Sequence, residues 1–138
     1  MTRKTDIDVA SPQASDAQEL QARVNKIPPR ADIFISIHCN AFTNPNTNGM
    51  ETFYFSGSPS GKKLAQLLNE ELLKYGGRLN RGVKSANFYV LKRSRCPASL
   101  IELAFVTNPT EENLLADDDY QNKLAQAITS AVNRYFSE

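Results

Sequence analysis

The sequence predicts a single α/β domain spanning residues 1–138, with a mostly parallel or mixed sheet flanked by helices. Three observations predict it. Apolar and aromatic runs of strand length occur at Ile33–Ile37, Phe53–Phe55 and Leu100–Val106. Other segments carry apolar residues at helical spacing. The two kinds alternate along the chain, which favours one layered α/β core over an all-α or all-β arrangement.

The elements follow in order. Met1 to Pro12 is polar without a clear period and reads as an irregular arm. Ser15-Asp16-Ala17-Gln18 has the form of a capping box, in which the Ser15 hydroxyl and Gln18 amide satisfy open backbone groups. A helix is predicted from Asp16 to about Lys26, burying Leu20, Val24 and Ile27. Pro28-Pro29 stops it, because proline has no amide hydrogen and restricts the residue before it. A strand is predicted at Ile33–His38. Nearly every position there is apolar, so both faces are expected to be covered. Asn44–Asn48 is a loop, and Gly49–Ser56 is a second strand. Ser60–Tyr75 is predicted as a helix with Leu64, Leu67, Leu68 and Leu72 along one stripe, ended by Gly76-Gly77. Arg78–Asn87 reads as a polar segment, Phe88–Leu91 as a short strand and Lys92–Pro97 as a basic turn. Ser99–Val106 is the most apolar strand. Asn108-Pro109-Thr110-Glu111 marks a helix start, with Asn as cap and Pro at the first position. A last helix is expected from about Asp119 to Phe136, burying Leu124, Ile128, Ala131, Val132 and Tyr135.

The totals exclude some function classes. A net charge of +1 gives no general electrostatic draw to nucleic acid or an anionic membrane. No apolar run reaches the roughly 20 residues that span a bilayer. The opening MTRKTDIDVASP has positive charge but no apolar core, so it reads as lacking a secretory signal. Cys39 and Cys96 are too few for a disulfide framework, and buried free thiols are expected rather than a pair.

Two residues are candidates for chemistry. His38, the single histidine of the chain, ends an apolar run and is followed by Asn40 and a polar loop. Strand ends beside loops are where α/β proteins place ligands. It is either a metal ligand or base, or a histidine closing a core strand. Glu102 lies inside Leu100–Val106. Burial there makes a carboxylate costly and raises its pKa, which suits a general acid or base near neutral pH. The alternative is a structural carboxylate paired with arginine or facing water. Arg81, in Asn80–Lys84, is either an anion grip or part of a solvated basic loop.

The motifs ADIFISIHCNAF, GMETFYF, NRGVKSANFYVLK and CPASLIELAFVTNPTEENLL, in that order, resemble the zinc-dependent N-acetylmuramoyl-L-alanine amidases of bacterial cell-wall turnover, of the AmiC, CwlV and phage-endolysin type. The resemblance runs from about Thr2 to the C-terminus. It implies hydrolysis of the amide between N-acetylmuramic acid and the L-alanine of the stem peptide, in peptidoglycan or muropeptides, outside the cytoplasm in the periplasm or cell wall. It implies a Zn2+ cofactor held by two histidines and a glutamate. The last histidine ligand falls on His38, the catalytic acid/base on Glu102, and Asn40 and Arg81 fall among substrate contacts. The family's Gly-His-Gly-Gly motif and its helical glutamate ligand have no counterpart here. Thr2-Arg3 and Asp6 resemble a segment that follows both, so the chain is expected to begin late, without the opening strand, the first helix and two ligands. Glu19, Glu51, Asp6 or Asp8 are the carboxylates available as substitutes. A sheet without its opening strand is expected either to have its edge covered by another element or to lose stability. The alternatives to a hydrolase are a metal-free muropeptide-binding relative and an unrelated cytosolic α/β domain with a structural His38 and Glu102.

Overall fold

In the computed structural model, which describes residues 9–137, the first helix starts where its capping box lies. Helix α1 (Asp16–Asn25) has Ser15 as its cap, with the Ser15 and Gln18 side chains each binding the other's backbone. Strands β1 (Phe34–Asn40) and β2 (Met50–Tyr54) follow, then helix α2 (Pro59–Gly76) and strand β3 (Asn80–Ser85). A short helix α3 (Tyr89–Arg93) leads to strand β4 (Ala98–Phe105), and helices α4 (Pro109–Leu115) and α5 (Asp118–Ser137) complete the order. Helix α2 ends on Gly77, whose left-handed φ of +63° lets its amide bind Leu73 O; a side chain there would be strained.

The sheet is mixed, in the order β1-β4-β2-β3. Strand β4 runs parallel to β1 and antiparallel to β2, and β3 runs parallel to β2. Alternation along the strands divides the side chains between two layers. Met50, Ile101 and Leu103 pack with Leu64, Leu68 and Leu72 of α2 and with Tyr120, Leu124, Ala127 and Ala131 of α5. On the other face, Ala98 and Leu100 pack with Val90 and Leu91 of α3, and Leu20, Val24, Phe34 and Phe53 join them. The second layer is the smaller one, and where it stops the sheet opens. Leu68 is fully buried in the larger layer. Leu68→Ala is expected to cost about 2–5 kcal/mol, read as a lower urea midpoint.

The Asn108 cap forms as expected: its side chain accepts from the amides of Thr110 and Glu111. Asn108→Ala is expected to lower stability by about 1 kcal/mol in the same measurement.

Four expectations require correction. Residues 88–91 are not a strand. Phe88 is the extended cap of α3, whose turn buries Val90 and Leu91 against α1's layer; a four-residue apolar run fits either state. Residues 80–85 are not merely a polar segment. They form edge strand β3, which is polar because it is open on one side. Strand β1 is not covered on both faces. Among the described residues it is the other sheet edge, and Ile37 is 56% exposed. Both cysteines are free, but Cys39 is exposed and Cys96 half-buried. Cys39 lies at the uncovered end of β1, next to His38.

Candidate active site

The register of the sheet assembles the site. His38 on β1 is opposite Glu102 on β4, and Glu102 is opposite Glu51 on β2. Paired residues of neighbouring strands share a face. The three side chains therefore form a row across the sheet, on the face of the smaller helical layer. Ala98, Leu100 and Phe53 on that face are covered by α1 and α3. The row begins one step beyond that cover, where apolar side chains give way to polar ones.

Glu102 is a carboxylate with little support. Its Oε2 is buried and has no hydrogen-bond partner among the described residues. Burial, followed by the nearby charge of Glu51, pushes its pKa from the ordinary 4.5 up to about 7. The group is thus poised between its acid and base forms near neutral pH. His38 is half-buried at the end of β1, with its Nε2 2.9 Å from Ser36 Oγ.

Glu51 is the opposite case: a buried carboxylate surrounded by donors. Asn40 Nδ2 donates to Oε1 at 2.8 Å. Arg81 Nε donates to Oε2 at 3.4 Å, and Lys84 Nζ donates to the same oxygen. Both cations come from β3, the strand hidden in a polar segment. Arg81 also donates through Nη1 to Asn48 O at 3.3 Å, and its guanidinium lies 5.0 Å from the centre of the Phe105 ring. Beside this cluster opens a groove of about 490 Å3. Asn40, Glu51, Arg81 and Lys84 line it together with Asn48 and Phe105.

A buried support lies beneath the groove. Glu111, at the start of α4, is fully buried. Its Oε1 accepts from Gly49 N and Arg78 Nε, both at 2.9 Å, and its Oε2 accepts from Phe105 N at 2.7 Å. One carboxylate thus fixes the start of β2, the end of β4 and the exit of α2. Gly49 meets this contact with a φ of +112°, and a Cβ there would lie 2.6 Å from Leu79 O. Only glycine fits.

The structure brings His38, Glu102, Asn40 and Arg81, the four residues to which the resemblance gives site roles, to one sheet face. Sequence reasoning missed the part of Lys84 and Glu111 and saw Glu51 only as a spare ligand. The available signal for Glu51 was a carboxylate inside the aromatic strand GMETFYF, an anomaly of the same kind as Glu102. Of the other carboxylates considered as ligands, Glu19 binds the amides of Val9 and Ala10 and the Arg23 guanidinium. Those hydrogen bonds, Ala10's foremost, hold its pKa at about 2. Asp6 and Asp8 lie outside the described residues.

A catalytic zinc takes three protein ligands and leaves one position open. Among the described residues, no three His, Cys, Asp or Glu side chains converge to hold a metal ion. His38, Glu102 and Glu51 form a row rather than a cup, and Glu51 is already engaged by three donors. The described residues alone do not fit a complete zinc site.

Comparison with known proteins places this geometry. The family model described as N-acetylmuramoyl-L-alanine amidase matches residues 1–134. The germination-specific N-acetylmuramoyl-L-alanine amidase of Bacillus subtilis is 33% identical over 146 residues, a match covering 100% of this chain and 61% of that protein. N-acetylmuramoyl-L-alanine amidase LytC of the same organism is 41% identical over 120 residues, covering 85% of this chain and 24% of that protein. The chain therefore spans between about a quarter and three-fifths of the length of these two curated relatives. Among solved structures, the CwlD amidase from Clostridioides difficile, in complex with the GerS lipoprotein, superposes with a TM-score of 0.86 at 32% identity, covering 99% of this chain and 74% of that one. The catalytic domain of CwlV from Bacillus (Paenibacillus) polymyxa gives 0.80 at 32% identity, covering 86% and 65%. In fold and in sequence, then, this chain belongs to the N-acetylmuramoyl-L-alanine amidase family.

Proposed function

We propose that the chain acts on peptidoglycan or its muropeptide fragments, in the cell wall or periplasm, hydrolysing the amide between N-acetylmuramic acid and L-alanine. The observation that supports it best is Glu102, a carboxyl with a buried oxygen that has no hydrogen-bond partner among the described residues and a pKa raised to about 7, on the sheet face that carries the groove. A carboxylate in that state takes a proton from the attacking water and returns it to the departing amine of L-alanine. The water oxygen forms the new bond to the lactyl carbonyl carbon, and the carbon–nitrogen bond breaks. Asn40 and Arg81 are assigned as substrate contacts because both reach the groove, one from each edge strand of the sheet, β1 and β3. His38 is assigned as one donor to the Zn2+ that family membership implies; a neutral imidazole at a strand end is suited to that role.

The test is to incubate the purified chain with peptidoglycan, with and without added zinc, and follow new L-alanine amino groups while measuring bound metal. Amine release that depends on zinc supports the reading. Tight metal binding without amine release would sink it. The shortage of metal donors among the described residues favours one second reading, a metal-free relative that binds muropeptides without cleaving them. Muropeptide binding with neither metal nor amine release would favour that one.

A further inference from the structure

The groove beside Glu102 has more positive charge than its own residues neutralise. Arg81 and Lys84 converge on a single carboxylate, Glu51, so the cluster retains one net positive charge at the groove wall. The arginine is also held in place. Its Nε is on Glu51, its Nη1 on Asn48 O, and its Cζ lies 5.0 Å from the centre of the Phe105 ring. Its Nη2 makes no hydrogen bond among the described residues. A guanidinium fixed on two edges, with a third edge open, is a prepared anion site: the ordering is done before a ligand arrives. Lys84, partly exposed and paired with Glu51, supplies a second charge beside it. Two large apolar side chains, Phe42 and Leu79, line the same groove and are 57% and 58% exposed. Cations inside and apolar surface at the edge suit a short peptide that carries an acid group, rather than a free inorganic anion.

We infer that the groove is a subsite for a carboxylate of the stem peptide, read by Arg81 with Lys84. This rests on the proposed amide hydrolysis and adds a preference among its substrates. The side of the scissile bond follows from chemistry. The lactyl carboxyl of N-acetylmuramic acid is consumed in the amide, so the sugar offers no anion close to the bond. Free carboxylates lie only on the peptide side, beyond L-alanine. The second stem residue, linked through its side-chain carboxyl, presents its α-carboxylate there, and some cell walls convert that group to a neutral carboxamide. The subsite therefore discriminates between the two forms: the carboxylate accepts from the guanidinium, whereas the carboxamide brings no charge to offset the cluster.

The experiment uses two synthetic muramyl tripeptides that differ only in that α-carboxylate or α-carboxamide, and the two free tripeptides released from them. Hydrolysis gives kcat/KM, and calorimetric titration of the free tripeptides gives affinity without any turnover. The carboxylate form is expected to be favoured by roughly 10-fold in both readouts, the scale of one charge-assisted hydrogen bond. R81Q is expected to reduce the ratio to about 2 or less, and R81K, which keeps the charge but loses the fork, to an intermediate value. Circular dichroism identifies a variant that fails to fold, and K84Q then serves as the second probe, with a partial loss of preference. Equal affinity of the wild-type protein for the two tripeptides, with no loss of affinity when the third-residue carboxylate is amidated, would overturn the subsite, as would a preference unchanged in R81Q and K84Q. A preference in binding with no hydrolysis of either substrate would leave the subsite standing and overturn the amidase reading instead. A third-residue carboxylate is a distinct source of the same chemistry, identified if amidating that group, and not the α-carboxylate, lowers the affinity.

Discussion

Glu102→Gln is expected to give a folded protein whose amide hydrolysis is slower by about 10²–10⁴-fold, the range attributed to a positioned general acid or base. Glutamine keeps the shape and removes the proton exchange. The same variant carries an independent thermodynamic signature. The Glu102 pKa is raised from 4.5 to about 7, first by burial and then by the charge of Glu51. Between those two values the folded protein holds a proton that the unfolded chain has lost, so stability falls as pH rises through this window. Below it both states are protonated and no penalty exists; above it the penalty is complete. Because part of the shift is screened by solvent, removing the charge is expected to stabilise the protein by about 1–2 kcal/mol at pH 8. The gain should fade towards pH 4.5. Urea titrations of both proteins with a chelator present measure it. A variant that is inactive and more stable at high pH is the pattern of a strained functional group. Full activity in Glu102→Gln would remove Glu102 from the mechanism.

Glu111→Ala is expected to damage the fold severely, at about 3–5 kcal/mol. Three donors meet this fully buried side chain: the amides of Gly49 and Phe105 and the Arg78 guanidinium. Truncation leaves two buried amides unpaired, each costing roughly 1–3 kcal/mol, and strands a half-buried cation. Typical domains have only about 5–15 kcal/mol in reserve. Glu111→Gln retains acceptor capacity through its amide oxygen and should cost about half as much. Chemical denaturation gives both values, and a loss below about 1 kcal/mol for the alanine variant would show that the contacts are incidental. The damage should reach the groove as well, since Phe105 supports the Arg81 guanidinium.

The strands and helices that bury a full face were legible in the sequence. Leu64, Leu68 and Leu72 announce α2, and Leu100 to Phe105 announce β4, because burial enforces the periodicity that reveals them. Residues 80–85 and 88–93 were misread because their states are decided from outside. Strand β3 pairs on one side only and needs no alternation, so NRGVKS has no strand signature. Helix α3 is one turn held by the packing of Val90 and Leu91 against Leu20 and Val24. The same asymmetry governs the site. His38 and Glu102 were conspicuous as polar residues in apolar runs. Lys84 was invisible, because a lysine in a polar segment gives no sign that a buried Glu51 lies across the ladder.

The strand order has a kinetic consequence. Strand β1 is docked on β4 with β2, α2, β3 and α3 all lying between them in the chain. His38 cannot meet Glu102 until that long excursion has closed, and the entropy of closure must be met before the parallel pairing repays it. The row of His38, Glu102 and Glu51, with the cations of β3, therefore has no local precursor. During refolding, ligand binding at the groove is expected to return only with the last phase of backbone protection, after the α2–α5 layer has formed.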